Sequence, residues 1–250
     1  MAVSKPNCGE SRCWQHAVAV LVTKLFSETD LVIRRTLPSI VVIAALALSA
    51  LANGAKVEQV GPFTDQSASE SVRGALEATG YKVSLESGAE VCQIWLRKGL
   101  ASQPKTDVQG AIFTALGNSS LIGVITFPGK TTDYRGQTVK AGSYTLRYAV
   151  HPADGNHMGI AVDRDFLLMI PLSVDQDANA QIKFEDLVKM SAKTAGTNHP
   201  AGLNLISAEG QKSFPSAYQD DSNHTIFVAK LKTAGSEIPF ALIVKGVADQ

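Results

Sequence analysis

Polar and apolar positions are most sharply ordered between residues 141 and 171, which read AGSYTLRYAVHPADGNHMGIAVDRDFLLMIP. Tyr144, Leu146, Tyr148 and Val150 recur at every second position, and Ser143, Thr145, Arg147 and His151 fall between them. That period predicts a half-buried strand. Residues 166–170 are apolar at every position and stop at Pro171, the pattern of a central strand covered on both faces. A polar loop joins the two.

The same reading places a hairpin at residues 81–97, turning through Glu86, Ser87, Gly88 and Ala89,. Further strands are expected at residues 111–116, 121–127, 203–207, 225–232 and 237–247, with Pro239 at an edge or a strand start,. Two short helices complete the pattern. One is capped by Asp65 or Ser67, carries Val72 and Leu76, and closes at Gly80. The other runs over 184–193 through Phe184, Leu187, Val188 and Ser191 and ends near Gly196,. Trp95 lies opposite the Cys92, Ile94 and Leu96 face and is expected to pack under a second layer. Many short strands with two helices predict a mainly β protein, an antiparallel β-sandwich, over residues 56–250 as a single domain.

The N-terminal pattern is different. Residues 40–51 are an apolar run preceded by Arg34 and Arg35 and followed by small residues, which predicts a signal peptide over 34–55 with cleavage near Ala52 or Ala55. The run is short for a membrane-spanning helix, so no stable span is expected in the mature protein. Residues 1–33 precede the basic pair as an unexpected extension, and translation is expected to begin near Leu31 or Val32. The alternative is a genuine extension in which Cys8 and Cys13 form half a metal site. The protein is therefore expected to be exported, to the periplasm or the extracellular space.

Composition narrows the function. Lys plus Arg and Asp plus Glu number 23 each, and beyond residue 55 the balance is 18 to 20, so no field attracts nucleic acid. Without the N-terminal segment Cys92 is alone, which excludes a disulfide framework and favours a buried small hydrophobe. The sequence holds no G-x-S-x-G, H-E-x-x-H, Walker A or G-x-G-x-x-G motif,, and no small-molecule cofactor is implied. A non-catalytic binding or structural module is the leading expectation.

The alternative chemistry lies in the 151–159 loop. His151, Asp154 and His157 follow an H-x2-D-x2-H spacing at a strand end, a set able to hold zinc or another divalent ion, with His199, Asp163 or Asp165 as a fourth ligand,. Asp154, Asn156 and Asp163 offer oxygens to calcium, without EF-hand spacing. Turn chemistry at 154–156, with Arg164 and Asp165 as a local ion pair, accounts for the same residues without a metal. A third reading is carbohydrate binding on an exposed platform of Trp95, Tyr134 or Tyr148.

Residues 75–80, Ile94-Trp95-Leu96-Arg97, 142–171 and 196–200 resemble segments of a group of exported bacterial proteins of unknown function, most specifically at Tyr144 to Tyr148 and His157 to Pro171. The resemblance implies export and a β-rich fold. It implies no activity and transfers no functional residue.

Overall fold

Strand pairing runs without interruption through ten strands. A computed structural model describes residues 54–100, 110–151 and 163–248, which belong to one compact unit. The extension, the signal segment with Cys8 and Cys13, and the loop residues Asp154, Asn156 and His157 lie outside the described residues. The strands are β1 (Ala55–Val60), β2 (Gly80–Leu85), β3 (Glu90–Leu96), β4 (Leu121–Phe127), β5 (Thr131–Thr132), β6 (Thr138–Val139), β7 (Gly142–Val150), β8 (Asp165–Pro171), β9 (Gly202–Ile206), β10 (Ser216–Gln219), β11 (Thr225–Lys232) and β12 (Glu237–Lys245). The helices are α1 (Glu70–Ala75) and α2 (Phe184–Ala195).

The ten-stranded sheet has the order β1-β2-β3-β4-β7-β8-β9-β12-β11-β10, and β5 pairs with β6 in a separate small hairpin. Every pairing in the large sheet is antiparallel. Its two end strands, β1 and β10, come side by side, so the sheet nearly closes into a barrel. The mainly β expectation holds. A two-layer sandwich is not shown, because the strands that were to form two layers are hydrogen-bonded neighbours in one sheet. Alternation alone marks which side of a strand is buried, and it reads the same for a sandwich and for a barrel.

The inward faces fill the barrel. Cys92, Ile94, Ile125, Leu146, Tyr148, Leu167, Met169, Phe227 and Phe240 belong to one core, with the alternating residues of β7 at its centre. Where β1 and β10 meet, Val57 and Ala217 pack against this core, and the rings of Tyr81 and Phe227 lie 5.7 Å apart. Three smaller apolar clusters sit on the outside. The first covers Trp95 and Val124 beneath α1. The second joins Ile226, Val228, Ala241 and Ile243 to Tyr134. In the third, Leu187 of α2 lies on Phe166, Leu168 and Ile170 of β8, so β8 is apolar on both faces as its unbroken pattern predicts.

Three local expectations change. Helix α1 starts at the Ser69 cap, whose Oγ accepts from the Val72 amide, and ends at Leu76 in extended backbone. Gly80 belongs to β2, because Leu76 bridges to Arg97 and the Glu77 amide donates to the Leu96 carbonyl, which draws the chain back into sheet pairing. Residues 111–116 form turns rather than a strand. They place Phe113 and Leu116 in the barrel core, and the Ile112 and Phe113 amides donate to the Asp165 carboxylate at 2.8 and 3.1 Å. Finally, the polar face of β7 is covered at its centre, where Thr145 and Arg147 are fully buried. Helix α2 ends on Gly196 at φ 67°, the left-handed cap its sequence predicts,. Among the described residues no helix is long and apolar enough to cross a membrane.

Candidate functional site

Three rungs of outward-facing residues cross β3, β4 and β7, and they differ in chemistry. The first holds Gln93, Thr126 and Ser143, and the second Trp95, Val124 and Thr145. The third region belongs to two arginines. Arg147 is completely buried, and its Nε and Nη2 donate to the two oxygens of Asp175, each at 2.7 Å. It also donates to the carbonyls of Ser119, Ala180 and Asp177, while Thr145 Oγ1 donates to Asp175 at 2.6 Å. Arg97 reaches the Ala178 carbonyl and the Asn179 side chain, both at 2.6 Å. The segment after β8 is thus tied down over the outer wall, and the buried ion pair is hydrogen-bonded on every side, the condition under which such a pair is tolerated.

The first rung is open. Together with Val60, Gly61, Pro62, Phe63, Thr64, Asp65 and Trp95 it lines a cleft of about 330 Å³. Trp95 closes one end. Its Nε1 donates to the Gly61 carbonyl at 2.8 Å and its ring meets Phe63 edge-on at 5.0 Å. Asp65 enters from the lead into α1: its Oδ1 accepts from the Ser67 amide and hydroxyl, and its Oδ2 accepts from Ser143 Oγ at 2.8 Å. The Ser67 hydrogen bonds, followed by that of Ser143, hold the Asp65 carboxyl below the usual carboxylate range against the opposing effect of burial,.

The metal-site residues are only partly described. His151 follows β7, its amide donates to the Arg164 carbonyl, and its ring stacks on Phe166 with centroids 4.0 Å apart. His199 is exposed on the loop after α2. The adjoining Ala201 carbonyl accepts from Met169, towards the far end of β8, whereas Val150 pairs with Asp165 at its start. The fold therefore places His151 and His199 at opposite ends of β8 and does not bring them together. Asp165 is committed elsewhere. It receives Tyr148 Oη at 2.6 Å besides the two amides, and burial together with that carboxylate pushes the Tyr148 phenol far up. Arg164 turns to the His151 carbonyl through Nε at 3.0 Å. Asp163 stands near Asp165, and burial, then the charge of Asp165, raises its carboxyl. Among the described residues no group of three or more metal-ligating side chains converges.

The aromatic platform is also absent from the surface: Trp95, Tyr134 and Tyr148 are all buried. Cys92 is fully enclosed, and burial pushes its thiol well above the ordinary value.

Sequence reasoning missed two features. One is the cleft, drawn from four separated segments. The other is His224, buried after a turn that begins at Asp220, with Nδ1 2.9 Å from Asp220 Oδ2 and Nε2 2.9 Å from the Val247 carbonyl. It ties the β11 entry to the chain beyond β12. Histidine five residues into a polar turn carries no motif. Comparison with protein-family models, with curated proteins and with solved structures finds no match to this chain.

Proposed function

We propose that this protein is an exported, non-catalytic binding module, a nearly closed β-barrel that uses its outer wall rather than its interior. One observation carries the reading: among the described residues, Cys92, Tyr148, Asp165, Arg147 and His224 each serve packing or internal hydrogen bonds, while the Asp65 cleft keeps unused polar capacity facing solvent. The interior supports it too, since side chains occupy the space a barrel would otherwise offer a ligand,. Export rests on the residue 34–55 pattern and on the resemblance to exported bacterial proteins. The test is an assay of the purified chain against a broad hydrolase panel, with and without added zinc. No turnover above buffer is expected, and robust metal-dependent turnover would overturn the reading.

A second reading keeps the divalent metal at the β7–β8 hairpin. It is favoured by the bond from the His151 amide to Arg164, which holds the two ends of the 152–163 connection together, with Asp163 at its far end. Ligands would come from His151, Asp154, His157 and Asp163. Elemental analysis of untagged protein and of His157→Ala tests it: stoichiometric zinc lost in the variant supports a site, and metal-free wild-type protein ends it.

A further inference from the structure

The hydrogen-bond directions in the cleft can be followed proton by proton. Ser143 has one hydroxyl proton, and it goes to the Asp65 carboxylate. In the 2.9 Å contact between Thr126 Oγ1 and Ser143 Oγ, Thr126 must therefore be the donor,. Thr126 has then spent its proton and can only accept. Gln93 gives one of its two amide protons to Glu90 Oε1 at 3.0 Å, leaving its carbonyl oxygen as an acceptor and its second amide proton to donate. The Trp95 Nε1 proton is used by the Gly61 carbonyl. What remains around the carboxylate is mainly acceptors, Thr126 Oγ1, Gln93 Oε1 and the last lone pair of Asp65 Oδ2, with the second Gln93 amide proton and the Thr64 hydroxyl as the donors left in the lining,.

Charge points the same way. Asp65 is half-buried and forms no ion pair among the described residues, and no Lys, Arg or His lines the cleft. An anionic ligand would meet like charge with no cationic side chain in the lining to offset it. A ligand that fits must bring donors and positive charge at one end and an apolar stem to lie along Phe63 and Pro62.

We propose that the Asp65 cleft binds a primary alkylammonium group. The ammonium sits among Asp65, Thr126 and Gln93, and its alkyl chain runs past Phe63. The assignment rests on the binding-module reading and gives it a ligand class. The chemistry is common to a free amine or polyamine and to a lysine side chain presented by another protein.

The test uses the full chain with Trp14→Phe, so that Trp95 at the cleft wall is the one indole, and follows its fluorescence. The probes are n-butylammonium chloride, putrescine and a blocked Gly-Lys-Gly peptide, with 1-butanol and methyl glucoside as neutral arms and sodium chloride as the ionic control. Saturable binding of n-butylammonium is expected, at least tenfold weaker in Asp65→Asn, several-fold weaker in Thr126→Val and weakened by salt. A stronger response to putrescine assigns the site to small amines, and a stronger response to the peptide assigns it to protein lysines. Circular dichroism verifies that the variants fold, and Thr126→Val retains the test if Asp65→Asn does not. Absence of saturable amine binding in folded protein, equal affinity in both variants, or saturation by methyl glucoside in place of the amines would overturn the proposal. Such a failure differs from failure of the module reading, which is seen as turnover in the hydrolase panel.

Discussion

At the scale of single residues, the most constrained side chain is Arg147, buried without residue on the outer wall of β7. Removing one partner of a buried ion pair costs about 3–5 kcal/mol, because the survivor is left charged in a poor solvent, whereas removing both is often neutral. Arg147 departs from the second half of that rule because it also serves three backbone carbonyls. Arg147→Met should lose about 3–5 kcal/mol in urea unfolding, and Arg147→Met with Asp175→Leu should recover only part of it. Full recovery in the double variant would show that the carbonyls find other partners. Asp65 gives the matching pH prediction. Its folded-state carboxyl lies below the ordinary value, which is about 3.9,, so ionisation adds stability that is complete above that value and is lost as pH falls through the folded one. The stability gap between wild type and Asp65→Asn should be flat above about pH 5 and narrow below about pH 4. A gap that widens on acidification would reverse the sign assigned to Asp65.

Elements were legible where packing simply repeated a period. Tyr144 to Val150 and Phe166 to Ile170 reveal β7 and β8 because each inward or covered position is apolar, and Gly196 marks the end of α2 because only a left-handed residue fits there. Strands β1 and β10 were not legible. Lys56, Glu58 and Gln59 alternate with just Val57 and Val60, and β10 is four residues whose burial is only partial. Residues 111–116 misled for the opposite reason: Phe113 and Leu116 enter the barrel from a turn, held by Asp165 rather than by a neighbouring strand. The cleft was invisible for a third reason. Asp65 looks like a helix cap and Ser143 like a solvated strand position, and only the fold joins them across the sheet. Glycines separate local from tertiary constraint in the same way. Gly74 in α1 faces open space, so Gly74→Ala should stabilise by about 0.5–1 kcal/mol,. Gly123 in β4 lies against the Trp95 backbone, where a Cβ would overlap the carbonyl oxygen, so Gly123→Ala should cost about 1–3 kcal/mol,. Thermal unfolding of both variants checks the contrast, and equal shifts would refute it.

For the whole molecule the open question of stability is the seam, because β1 and β10 adjoin without forming a ladder. A barrel that relied on backbone pairing alone would be weakest there. Here the seam is crossed by side chains: Val57 and Ala217 enter the common core, Tyr81 meets Phe227, and Lys232 reaches Glu77 at 2.9 Å. The ion pair is exposed and contributes little, roughly 0–1 kcal/mol, so the apolar contacts must hold the edges together. Cys92 reports on this directly. It faces inward on β3 opposite Val83 of β2, two strands from the seam, and its thiol is enclosed. If the seam opened on its own, a thiol reagent would reach Cys92 at a free energy well below that of global unfolding. If the core is continuous across the seam, the two free energies coincide. In a Cys8→Ser, Cys13→Ser background, modification by a disulfide reagent should be as strongly suppressed as the urea-derived population of unfolded chain requires, and a Phe227→Ala variant should raise both together. Modification that is much faster than global unfolding allows, with Phe227→Ala accelerating it selectively, would instead identify the β1–β10 seam as a separately opening gate.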